Sequence, residues 1–149
     1  MKYIEAPDIA YGSQPSIFLA GGISGCSNWQ NELVEMLKDT PLTIYNPRRE
    51  NFPMGDLEEG KKQIEWEYQH LRKSWFVSFW FPCETLNPIT LFELGTVCSG
   101  DKIVFVGCHP DYKRRFDVEQ QLKLRRPEVE VVYSIDSLAK QILRKQYGW

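Results

Sequence analysis

No apolar run in this sequence approaches the roughly 20 residues that a bilayer span requires. The opening residues, Met1 to Glu5, also lack the apolar core of a signal peptide. A membrane anchor and a secretory route are therefore not expected. Cysteine is sparse, and Cys26, Cys83, Cys98 and Cys108 show no CxxC spacing. Reduced thiols in a cytoplasm are the simplest reading, and the protein is expected to be cytoplasmic. Histidine is scarcer still, at two residues. Glu67-x-x-His70 matches half of a carboxylate-bridged metal site, but no second such pair accompanies it, and Cys108-His109 adds little. No metal is expected. An excess of one charge is missing too, because the formal net charge is only −2. The runs Lys113-Arg114-Arg115 and Arg125-Arg126 read as solvated faces, so no nucleic-acid partner is expected. Internal repeats and low-complexity segments are absent.

What remains has the balance of a folded, soluble chain: 42% hydrophobic and 26% charged residues over a length of 149. That length suits a single domain, residues 1–149, with one core. Short apolar runs alternate with amphipathic stretches. Ser16-Ile17-Phe18-Leu19-Ala20 reads as a buried strand closed by the tight turn Gly21-Gly22. Residues 28–38 read as a helix, with Ser27 or Asn28 as N-cap and Trp29, Leu33, Met36 and Leu37 at helical spacing. Leu42-Thr43-Ile44-Tyr45 is a second strand, stopped by Asn46-Pro47. Residues 48–60 are polar and carry Pro and Gly, which predicts a loop. Helical periodicity resumes with Ile64, Tyr68 and Leu71.

Trp75 to Phe81 is the most apolar run, as befits a central strand covered on both faces. Residues 88–99 read as a helix, with Asn87 as N-cap and Pro88 at the first position, where its missing N–H is not needed. Ile103-Val104-Phe105-Val106 and Val129 to Tyr133 complete the strands. Helices near residues 116–124 and 137–146 follow them. Five strands alternating with helices predict a flavodoxin-like, doubly wound five-stranded parallel sheet with helices on both faces.

Ligands in such sheets sit beyond the carboxyl ends of the strands. Four segments meet at that edge: Gly21-Gly22-Ile23-Ser24, Asn46-Pro47-Arg48-Arg49, residues 82–93, and Gly107-Cys108-His109. The Gly pair can admit a ligand close to the backbone, although an ordinary strand-to-helix turn would look the same. Glu93 is more telling. Its neighbours in Ile89-Thr90-Leu91-Phe92-Glu93-Leu94-Gly95 are apolar almost all round, and burying an unpaired carboxylate costs several kcal/mol. Either it serves a function at this edge or it forms an ion pair with Arg48 or Arg49. Glu67, in Ile64-Glu65-Trp66-Glu67-Tyr68, is unremarkable taken alone.

These pieces together resemble the nucleoside 2-deoxyribosyltransferase family, in particular its 2-deoxyribosyltransferase-like branch. The matching elements are Ile17-Phe18-Leu19-Ala20-Gly21-Gly22-Ile23 with the following Trp29, Asn46-Pro47-Arg48-Arg49, Gln63-Ile64-Glu65-Trp66-Glu67, and Pro88-Ile89-Thr90-Leu91-Phe92-Glu93-Leu94-Gly95. The resemblance implies that Glu93 is the nucleophile attacking the anomeric carbon. It implies that Glu67 is the second carboxylate, which orients sugar and nucleophile, although better-known members carry Asp there. A further Asp that contacts substrate falls on Asn87, which can hydrogen-bond but cannot act as a base. Ile89-Thr90 stands where Gly-Thr is usual. The resemblance also implies homo-oligomers in which a neighbouring subunit completes each pocket.

The implied chemistry is cleavage or transfer of the N-glycosidic bond of a nucleoside or nucleotide, without metal or organic cofactor. A carboxylate beneath C1′ stabilises the oxocarbenium-like state and captures it as a glycosyl ester. Glu93 is accordingly expected to be ionised in the resting enzyme. Gly21, Gly22, Ile23, Trp29 and Asn87 are candidates for holding the substrate. Trp80 and Phe81 offer further surfaces for stacking, if they are not core, and Arg48 can hold a 5′-phosphate. A nucleotide-binding module without turnover and a glycohydrolase acting on an NAD-type dinucleotide are the alternatives.

Overall fold

Residues 1–12 and 14–147 are described in a computed structural model. The apolar runs become the strands of one sheet. These are β1 (Lys2–Glu5), β2 (Ser16–Gly21), β3 (Thr43–Asn46), β4 (Phe76–Phe81), β5 (Ile103–Cys108) and β6 (Val131–Val132). All pairings are parallel, in the order β1-β3-β2-β4-β5-β6. Strand β4 is buried at all six positions, as a strand between two helical layers must be.

The five strands read from the sequence are β2 to β6, and their order is that of a flavodoxin-like sheet. The sheet has six strands rather than five. The addition, β1, lies at the edge against β3, with Tyr3 opposite Ile44. Only Ile4 of its four residues is buried, so it carries too little apolar pattern to stand out.

Helices α1 (Trp29–Met36) and α5 (Ile135–Tyr147) cover one face. Their Trp29, Leu33, Leu138 and Ile142 pack on Ile17, Leu19, Phe76 and Trp80. Helices α2 (Leu57–Lys73), α3 (Pro88–Cys98) and α4 (Arg115–Arg125) cover the other face. There Trp66, Leu94, Cys98, Val118 and Leu122 pack on Phe18, Ala20, Val77, Phe79 and Phe81.

Helix α2 starts earlier than expected. It begins at Leu57, inside the stretch read as a loop, because Asp56 caps it: one carboxylate oxygen accepts from the N–H groups of Glu58 and Glu59. Its covered face carries Trp66 and His70, whereas Ile64 and Tyr68 are 67% and 60% exposed. The far end of α2 is closed by Lys102, whose ammonium donates to the carbonyls of Leu71, Arg72 and Ser74 at 2.7, 2.8 and 2.7 Å.

Candidate active site

The sheet reverses its winding about β2, so a crevice opens beyond the carboxyl ends of β2 and β4. The turn Gly21-Gly22 forms one wall. Its glycines are required by the protein's own close packing. A Cβ on Gly21 would lie 2.3 Å from Cζ2 of Trp29, and one on Gly22 would lie 2.1 Å from Oδ1 of Asn87. The Trp29 indole N–H donates to the Gly22 carbonyl at 2.9 Å, which fixes the turn from below.

The adjoining wall is the loop between β4 and α3, which packs directly against this turn. Asn87 stands at the cap position of α3 in left-handed conformation, with φ 51°, and makes no side-chain capping bond. Its amide is spent within its own loop instead. Nδ2 donates to the carbonyls of Pro82 and Thr85 at 3.2 and 3.1 Å, and Oδ1 accepts from the Thr85 hydroxyl at 2.6 Å. Asn87 is thus the N-cap residue read from the sequence, and its carbonyl accepts from the Leu91 N–H at 3.1 Å, but its side chain shapes the loop rather than capping the helix.

Between these walls lies a cavity of about 250 Å³. The segments after β2 and β3 (Gly21 to Ser24, and Pro47) and the loop and first turn of α3 (Thr85, and Asn87 to Thr90) line it, with Phe18, Ala20, Glu67 and Glu93 completing the lining. The two carboxylates come from different helices, α2 and α3. No Lys, Arg or His belongs to the lining.

Glu93 has no hydrogen bond or ion pair among the described residues, and Arg48 and Arg49 are engaged elsewhere. Burial, and then the charge of Glu67, push the Glu93 carboxyl up to about 8. This corrects the expectation of an ionised resting Glu93. No hydrogen-bond donor among the described residues opposes that desolvation, so the protonated form is favoured at neutral pH. Burial also raises the Glu67 carboxyl, but a hydrogen bond from Gln63 at 2.9 Å works against it.

Of the residues singled out from the sequence, the cavity brings together Gly21, Gly22, Ile23, Glu67, Asn87 and Glu93. Trp29 and Arg48 stand outside it. Trp29 is buried under the Gly turn. Arg48 reaches along the neighbouring groove, where its guanidinium donates to the carbonyls of Ser27 and Cys26 and to the side chain of Gln30, at 2.8, 3.0 and 3.1 Å. Trp80 and Phe81 are core. His70 does not turn toward Glu67. It stacks on Trp66 with 3.9 Å between centroids, and its ring nitrogens meet the Trp66 carbonyl and the Ala10 N–H. Among the described residues no three His, Cys, Asp or Glu side chains cluster as a metal would require. Thr85, Thr90 and Gln63 were not recognised from the sequence. Gln63 lay inside a matching motif, yet a glutamine on an amphipathic helix carries no signal of its own.

A second, more apolar groove of about 620 Å³ runs behind the cavity between α2 and α3. Ile64, Tyr68, Leu71 and Phe92 line it, and Glu67, Ile89 and Glu93 belong to both linings. Phe92 is 75% and Ile89 64% exposed.

Comparison with curated proteins finds no match to the chain. The family model described as nucleoside 2-deoxyribosyltransferase like matches residues 14–112, a span that contains every residue of the cavity. The chain belongs to the nucleoside 2-deoxyribosyltransferase-like family.

Proposed function

We propose that this protein is a cytoplasmic enzyme that cleaves or transfers the N-glycosidic bond of a deoxynucleoside or deoxynucleotide through a covalent glycosyl–Glu93 intermediate. The observation that carries this reading is the Glu93 carboxyl itself: unpaired, walled by hydrocarbon, and facing a hollow at the ligand edge of the sheet. Family membership supports the reaction class.

In the proposed reaction the ionised Glu93 attacks C1′ as the bond from C1′ to the base nitrogen breaks. The bonding pair leaves with the base, which takes up a proton from solvent at a ring nitrogen. Glu67 supplies a second negative charge to stabilise the oxocarbenium-like state and to orient the sugar. Water or a second base then attacks C1′, the ester breaks, and the Glu93 carboxylate is restored. Water as acceptor makes the enzyme a hydrolase, and a second base makes it a transferase. The Gly21-Gly22-Ile23 turn and the loop held by Asn87 shape the walls around the sugar. Four free thiols are consistent with a reducing compartment.

The chain is further read as a homo-oligomer. The apolar groove between α2 and α3 supports this, because it exposes Ile64, Tyr68, Ile89 and Phe92 directly behind the cavity. Phe92→Glu is expected to yield a smaller species by analytical ultracentrifugation.

The test is a panel of deoxynucleosides and their monophosphates, assayed for release of free base. Turnover of at least one member, abolished in Glu93→Ala, is expected. A pentose adduct should be found by mass spectrometry on the peptide containing Glu93. A panel left intact sinks the proposal. Tight binding without product would instead favour a nucleotide-binding module, the reading that Asn87, with its amide committed to its own loop, supports.

A further inference from the structure

Gln63 and Glu67 are one turn apart on α2, and the Gln63 amide lies between two acceptors. Its Nε2 donates to Glu67 Oε1 at 2.9 Å and to the carbonyl of Pro47 at 2.7 Å. Both contacts require an N–H, so rotating the amide by half a turn would set its oxygen against two oxygens. The orientation is therefore dictated. The amide oxygen Oε1 is buried without a partner, a cost the molecule bears to keep both donors in place.

Pro47 lines the cavity beside Glu67. One side chain thus ties the helix that supplies a carboxylate to the loop after β3, which also lines the cavity. The remaining titratable neighbours are few. Glu93 faces Glu67 from α3, and Tyr68 and Arg72 of α2 line only the outer groove.

We propose that Gln63 is a positioning residue of this site: it clamps Glu67 to the Pro47 loop and keeps the negative charge of the Glu67–Glu93 pair on Glu67. A carboxylate accepts from an N–H donor better when ionised, so the clamp favours charge on Glu67. Glu93, which has no donor, is left holding the proton. The pair then titrates in a defined order, with Glu93 the later group to ionise. This inference rests on the role of the two carboxylates in the proposed reaction, but the clamp can be tested without turnover.

The experiment follows the carboxyl carbons of Glu67 and Glu93 by NMR in protein labelled at the glutamate side chains, from pH 4 to 10. In wild type, Glu93 is expected to titrate well above Glu67. Gln63→Met keeps the length of the side chain and removes both donors. It is expected to raise the Glu67 midpoint and lower that of Glu93, each by about one pH unit. Gln63→Ala serves in its place if the Met variant does not fold. Unchanged midpoints for both carboxyls in a folded variant would overturn the proposal. Where a nucleoside substrate has been found, the acid limb of kcat/KM should move with the Glu93 midpoint, roughly tenfold in rate on the acid side, while KM changes little. If no substrate turns over, the reading of the reaction fails, and the NMR titration still decides the role of Gln63.

Discussion

Glu67 and Glu93 face one cavity from two helices with no cation in its lining, and the charge on Glu67 helps to hold a proton on Glu93. That relationship makes the two carboxyls a coupled pair, and its consequences can be measured.

The first concerns pH and rate. In the proposed reaction Glu93 attacks only when ionised, so kcat/KM is expected to rise with pH until about 8, where burial and the Glu67 charge place its carboxyl. Glu67→Gln removes the repelling charge and should shift that midpoint toward acid. Burial, the larger cause, persists in the variant, so the midpoint stays above that of an ordinary glutamate. Rates of base release between pH 5 and 9 provide the check, and a midpoint unmoved in Glu67→Gln would count against electrostatic coupling.

The second concerns stability. The Glu93 carboxyl is raised in the folded state from about 4.5 to about 8. Its protonated form is the one the fold favours. The associated stability is complete below pH 4.5 and is lost as pH climbs toward 8. Above that, the native state carries an unpaired, largely buried charge. Glu93→Gln should therefore be inactive, about as stable as wild type at pH 4, and more stable at pH 9 by on the order of 2–4 kcal/mol. Urea unfolding at the two pH values tests the crossover.

The third concerns the Gly turn. Gly22→Ala places a methyl group where Oδ1 of Asn87 and Sγ of Cys26 already lie, at 2.1 and 2.7 Å. The loop between β4 and α3 must retreat, and the bonds from Asn87 to Pro82 and Thr85 are strained. A loss of about 1–3 kcal/mol is expected. Substrate binding should weaken as well, because the displaced loop is a wall of the cavity. Thermal unfolding and KM report the two effects separately.

Which of these features the sequence announced depends on how exposed each pattern was to competing explanations. The strands Ile17 to Ala20 and Trp75 to Phe81 were legible because nothing but a covered sheet accommodates so greasy a run. Glu93 was legible for the converse reason, as one carboxylate in a hydrocarbon helix. Strand β1 was not, since an edge strand needs only one buried residue, Ile4. The spacing of Ile64, Tyr68 and Leu71 reveals α2 as a helix but not its buried face, since Ile64 and Tyr68 line an open groove while Trp66 and His70 are the buried pair. Trp29 and Arg48 lie in matching motifs but act as supports, brought there by hydrogen bonds to backbone carbonyls that no residue pattern encodes.

The fourth prediction concerns His70. The ring is buried, bonded to the Trp66 carbonyl and close to the Lys73 ammonium. Burial first, and then the Lys73 charge, lower its proton affinity, while the Trp66 carbonyl partly offsets them. The unfolded chain takes up a proton near pH 6.5 and the folded one resists it, so stability present above pH 6.5 is lost as pH falls below it. His70→Leu should cost about 1–3 kcal/mol at pH 8, through lost hydrogen bonds. Its deficit relative to wild type should narrow between pH 7 and pH 5. Chemical denaturation across that range provides the test.

Glu67, Ile89 and Glu93 line both the cavity and the groove behind it. In a solitary subunit both carboxyls therefore border an open apolar groove as well as the cavity. Pressing any body against α2 and α3 covers that groove. Under the proposed reaction, protein concentration becomes a chemical variable: dilution is expected to favour water as the acceptor, and association to favour an incoming base.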